Sequence, residues 1–190
     1  MPLLNGAGAV VVNRATYVGT VVITATAGQM AMQFHPAAAA GGTNSWLGVW
    51  NAYNRVKVFS RSQDSTTNWS YGSSTWRPAD GAGTGSGLLN RVTWVDGLQQ
   101  SQVLARYMNN VQTAGPISVI GVNFNSTTAV PGGFDGINNS SATTTTTSVI
   151  AEDRFIGMGV NYAQAMEASA SGTVTYSGAT NMQLIVDLEM

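Results

Sequence analysis

The chain has 190 residues, a length suited to one domain or to a domain with an extended arm. Only 9% of its residues are charged, against roughly 25% in an ordinary soluble chain, and the net charge is −1, so no charge excess directs it to nucleic acid or to an anionic membrane. Cysteine is absent and His35 is the single histidine, which excludes disulfides, thiolate metal sites, thiol nucleophiles and any multi-histidine metal site within one chain.

Hydrophobic residues reach 44%, enough for a core. Polarity comes from Ser, Thr, Asn, Gln and Gly rather than from charge. A surface of that kind repels its own copies weakly, which suits a component of an assembly better than a freely diffusing enzyme. No apolar run approaches the roughly 20 residues of a membrane-spanning helix. The N-terminus has no basic segment followed by an apolar one. The expectation is a protein made in a bacterial cytoplasm, with no membrane and no nucleic acid among its partners.

Residues 1–16 read as an extended N-terminal arm. Asn5, Gly6 and Gly8 oppose a helix, while Leu3, Leu4, Val10, Val11 and Val12 oppose a solvated tail and are the candidate contacts to a neighbouring subunit or shell, the other reading of the arm being an edge strand of the domain itself. The remaining chain, 17–190, reads as a single domain. Its first strand is Tyr17–Thr26, rich in Val, Ile and Thr, followed by a turn at Ala27-Gly28 and an alternating strand at Gln29–Phe34. Trp46, Val49, Trp50 and Tyr53 are spaced for one face of a short helix. Arg55–Ser60 returns to alternation. Asn68–Tyr71 and Thr75–Arg77 are short aromatic strands, and Pro78–Gly87 is a glycine-rich loop.

Asn90–Val95 and Ser101–Met108 alternate on either side of Asp96-Gly97, which predicts a hairpin. Pro116–Asn125 is a further strand. The stretch 126–148, with five consecutive threonines at 143–147, reads as a long surface loop with a β-branched edge segment. Ser148–Phe155, Gly157–Glu167, Gly172–Tyr176 and Met182–Glu189 complete the set. Nine or ten short strands and one short helix predict an all-β antiparallel sandwich, jelly-roll-like.

Catalytic and ligand-binding patterns are weak. Glu152-Asp153 is the one adjacent acid pair, and neighbours in a strand point to opposite faces, so they do not converge for glycoside hydrolysis. His35 lies beside a Pro-Ala loop with no nucleophile elbow to partner it. The run Gly81–Gly87 has no following lysine and leads into a strand, unlike a phosphate-binding loop. Gly133–Asn139 carries one carboxylate and two amides without the ligand spacing of a calcium loop, and reads as a turn. Trp69, Tyr71, Trp76 and Trp94 suit a sugar-binding face or cross-strand core pairs, and the core is favoured. The chain is therefore expected to be no enzyme and to need no cofactor or metal.

Three stretches carry a resemblance: Ala27-Gly28-Gln29-Met30 through Trp50-Asn51-Ala52-Tyr53-Asn54-Arg55-Val56; Thr66-Thr67-Asn68-Trp69-Ser70-Tyr71 through Thr75-Trp76-Arg77; and Asn90-Arg91-Val92-Thr93-Trp94-Val95-Asp96-Gly97-Leu98. Together with the closing Met182–Met190 segment they resemble small virion-associated structural proteins of tailed bacteriophages. The resemblance spans most of 17–110 and the C-terminus. It implies virion membership. One placement it implies is a capsid decoration, or cement, protein that binds the major capsid protein as a homotrimer and reinforces the shell. The alternative is a tail-fibre or head-fibre receptor-binding domain that recognises host glycans. The decoration protein on the capsid surface is the expectation carried forward.

Overall fold

The computed structural model describes residues 18–81, 89–98, 102–112, 115–131, 135–138, 145–153, 156–178 and 181–190. Leu3, Leu4, Val10, Val11 and Val12 of the expected arm lie outside them. The elements in chain order are β1 Gly19–Val21, β2 Met32–Gln33, β3 Asn44–Leu47, β4 Val49–Asn51, β5 Lys57–Asp64, β6 Trp69–Tyr71, β7 Arg77–Pro78, a 3-10 turn Ala79–Gly81, β8 Arg91–Asp96, β9 Val103–Val111, β10 Ile117–Phe124, β11 Asp135–Asn138, β12 Thr145–Asp153, β13 Gly159–Ser171, β14 Val174–Ser177 and β15 Met182–Glu189.

The architecture is an all-β sandwich. One sheet runs β11-β10-β13-β8-β3-β2, with β7 also pairing β13; the other runs β5-β15-β9-β14-β6, with β12 also pairing β9. All pairings are antiparallel except β3 with β8. β1 and β4 form a separate two-stranded ladder.

Side-chain alternation explains the layering. In β15, Met182, Leu184, Val186 and Leu188 are buried while Gln183, Ile185, Asp187 and Glu189 are only partly so. Slipping this strand by one residue would turn all four apolar side chains outward, which pins its register. β9 buries Val103, Ala105, Tyr107 and Val111 in the same way. These side chains meet Leu47, Val92, Trp94, Ile120, Val122, Ala163 and Ala165 from the facing sheet in one continuous core. Small alanines on both sides leave room for the large rings of Trp94, Tyr107 and Tyr176.

The structure revises three expectations. Residues 46–53 form β3 and β4 instead of a helix. Three or four apolar positions fit either period over so short a stretch, and ladder partners decide: Trp46 pairs Thr93, and Trp50 pairs Thr20. Gly48 breaks the two strands where a Cβ would meet the Ala31 carbonyl.

The predicted hairpin of 90–95 with 101–108 is the second. β8 and β9 belong to opposite sheets. β8 is buried along its whole length and is flanked in its own sheet by β3 and β13, so no edge remains for β9. Asp96-Gly97 does turn the chain, with Asp96 Oδ1 accepting the Leu98 N–H at 3.1 Å, but it sends it across the sandwich.

Third, the loop expected over 126–148 also holds β11, paired with β10, while the β-branched segment expected within it is the start of β12, where Thr145–Thr147 pair Val111–Asn109. β-branched threonines fit a pleated ladder once a partner strand is present.

Candidate assembly surface

From Ala15 to Asn54 the sequence holds no Lys, Arg, Asp or Glu. The described part of this stretch is built as a ribbon along β3 and β4. The Val22 N–H donates to the Gly48 carbonyl at 2.7 Å, and the Ala31 N–H to the Val22 carbonyl at 2.8 Å. Ile23 bridges Met30 in antiparallel fashion, and Met32 pairs Leu47. The turn between the two limbs closes through Thr24 N–H to the Gln29 carbonyl, with Gly28 at φ +77°, a conformation that favours glycine.

Directly opposed residues in an antiparallel pair share a face, as do residues two apart along a strand. Ile23 and Met30 therefore stand on one face, and Val21, Met32 and Phe34 lie along the same two limbs. All are exposed, up to 74% at Ile23. Val18 and Tyr53 are exposed beside them, and Val18 is tied to the end of β4 by its carbonyl accepting the Ala52 N–H. The ribbon ends at His35, whose ring lies 5.7 Å from Phe34 and 4.7 Å from Phe59.

Away from this surface a buried polar clasp ties the two sheets. Glu167 of β13 is fully buried. Its Oε2 accepts the Trp69 Nε1–H at 2.7 Å, and its Oε1 accepts from Arg77 Nε at 2.8 Å and Nη2 at 2.7 Å. Burial pushes the carboxyl up from an ordinary 4.5 to about 7, against the pull of the Trp69 and Arg77 donors. Beside it, Asp64 accepts from the Thr66 N–H at 2.7 Å and from Asn90 Nδ2 at 3.0 Å, and Asp80 accepts the Thr66 hydroxyl at 2.9 Å. Burial raises the Asp80 pKa as well, and the neighbouring Asp64 charge adds to that. Among the described residues Arg91 has no carboxylate partner: it donates twice to Gln164 Oε1, at 3.0 Å each, and lies over the Tyr162 ring. With each Glu167 oxygen held by donors and the side chain shut away from solvent, the clasp is suited to holding the sheets together and not to turnover.

The other residues singled out in the sequence do not converge. His35 sits between two phenylalanine rings. Glu152 and Asp153 are consecutive residues of β12, opposite Leu104 and Val103 of β9. Of Gly81–Gly87 only Gly81 lies within the described residues, and Asp135–Asn138 form β11 in place of the expected turn. Trp69 and Trp94 are core residues, with Trp69 stacked on Tyr176 at 6.1 Å and Trp94 edge-on to Phe124 at 6.4 Å. Tyr71 lies beneath the Arg77 guanidinium at 3.8 Å. Among the described residues no group of three or more His, Cys, Asp or Glu side chains is placed to hold a metal ion.

Sequence reasoning missed both the ribbon face and the clasp. The uncharged run 15–54 was the available signal for the first. For the second there was none, since Asp64, Arg77, Asp80 and Glu167 are scattered along the chain. No protein-family model matches the chain, and neither does any curated protein sequence.

Proposed function

We propose that this chain is a structural virion protein of a tailed bacteriophage, a capsid decoration protein that assembles as a homotrimer and seats on the major capsid protein. The observation that supports the assembly part is the uncharged ribbon on which Val21, Ile23, Met30, Met32 and Phe34 are exposed. Charge is depleted and methionine and aromatic residues are enriched at the centres of protein interfaces, and large apolar side chains exposed together on one ribbon mark an interaction site. A second copy of the chain is its occupant. At −1 the chain repels its copies little. The virion and shell assignments rest on the sequence resemblance, with Leu3, Leu4 and Val10–Val12 as the arm that anchors the trimer.

The test is the mass of the purified chain in solution and its retention on empty heads of the phage that carries it. A trimer that co-sediments with heads is the expected result. A monomer that leaves heads untouched overturns the proposal, and a trimer found at the tail tip transfers the chain to the fibre class.

A further inference from the structure

The outward face of the second sheet carries a pocket of about 300 Å³ that the assembly reading does not use. Ladder register builds it as a small grid. Lys57 of β5 lies opposite Glu189 of β15, and Phe59 lies opposite Asp187, which in turn lies opposite Leu104 of β9. Gln102, just before β9, also lines it, with Val58 and Leu188 from β5 and β15. Residues two apart on a strand share a face about 6.6 Å apart, and adjacent strands are about 4.8 Å apart. One row is therefore polar, Lys57 and Glu189 with Gln102 beyond, and the next holds a carboxylate between two apolar side chains, Phe59 and Leu104.

Charge within the grid is balanced. Lys57 and Glu189 offset each other, and Asp187 is paired with Arg106 through Nη2 at 2.7 Å. A charged ligand gains no net attraction there. A carboxylate oxygen accepts more than one hydrogen bond, so Asp187 and Glu189 retain acceptor capacity toward hydroxyl groups while keeping their cationic neighbours. Phe59 is half exposed and presents a ring beside them. Several acceptors, an ammonium and an amide arranged around one aromatic ring match a molecule with many hydroxyls and one apolar face. The volume is at the small end for ligand sites, enough for one or two sugar rings and not for a long chain enclosed on all sides.

We propose that this pocket binds a neutral saccharide, with Phe59 as the stacking surface and Asp187, Glu189, Gln102 and Lys57 as hydrogen-bonding groups. The pocket lies on the second sheet, and its Phe59 ring also meets the His35 ring at the end of the ribbon, 4.7 Å between centroids.

The experiment is an amide chemical-shift titration of the intact chain with glucose, galactose and N-acetylglucosamine, each taken to saturation or to high millimolar concentration, with sodium acetate and methylammonium chloride as charged controls. The expected result is saturable shifts from at least one sugar, centred on residues 57–59, 102–104 and 187–189, and none from the two salts. Phe59→Ala and Glu189→Gln, both at outward positions, should keep the wild-type melting temperature and weaken binding at least ~10-fold, the equivalent of about 1.4 kcal/mol. Absence of shifts with all three sugars, shifts centred elsewhere, unchanged affinity in both folded variants, or a response only to the charged controls would each overturn the proposal. If a variant melts early, the wild-type shift map alone decides.

Discussion

Trp69 and Glu167 are 98 residues apart in sequence and meet in a 2.7 Å hydrogen bond between the two sheets, indole N–H to carboxylate. Trp69 lies on β6 of one sheet and Glu167 on β13 of the other, so the bond bridges the sandwich and sets Trp69 for its stack on Tyr176. Replacing the indole by a ring without a donor, Trp69→Phe, leaves one oxygen of a buried carboxylate without its partner. The expected loss is about 1–3 kcal/mol of unfolding free energy, measured by urea denaturation, with the variant still folded.

Stability should also depend on pH through Glu167. Its pKa is about 7 in the folded chain and near 4.5 when solvated, so the folded state holds the proton more tightly. The contribution is fully present below pH 4.5, falls as pH rises, and is gone above about 7. The span is on the order of 3 kcal/mol at most. Asp80, raised for the same reason, acts in the same direction. The measurement is the difference in unfolding free energy between wild type and Glu167→Gln from pH 4 to pH 8. A difference that stays flat across that range would show that Glu167 keeps an ordinary pKa.

Self-association should be sensitive to charge on the ribbon. The double change Ile23→Asp and Met30→Asp places two carboxylates on opposed, exposed positions. Sedimentation should show association weakened at least ~100-fold, since burying unpaired charge costs several kcal/mol, while the melting temperature stays close to wild type. Unchanged oligomer mass would remove the ribbon from the interface.

Deleting residues 1–15 tests the arm separately. The domain should remain folded, because among the described residues the core is built from residues 47–190, while trimerisation or capsid occupancy drops. Full occupancy after the deletion would leave Leu3, Leu4 and Val10–Val12 without the anchoring role.

Gly42 should resist substitution. Its φ is +96°, and a Cβ there would overlap the Asn90 side-chain amide. That amide donates to Asp64 Oδ2 and to the Ala79 carbonyl, at 3.0 Å each. Gly42→Ala thus combines backbone strain with displacement of a buried polar side chain, and an expected cost of about 2–4 kcal/mol in chemical denaturation.

The sequence by itself determined the all-β class and most strand positions, because a period of two in segments such as Met182–Glu189 is set by which side chains must leave water. It also determined the shortage of charge that makes self-association credible. Tertiary structure alone decided the rest. Trp46–Tyr53 suits two periods until β8 and β1 offer ladder partners. Asp96-Gly97 is the same turn whether the chain returns beside β8 or crosses to the other sheet, and the burial of β8 on both edges settles which. The Glu167 clasp joins residues distant in the chain by packing the two sheets, and the Phe59 pocket does so by pairing β5, β15 and β9 within one of them; neither follows from a local pattern.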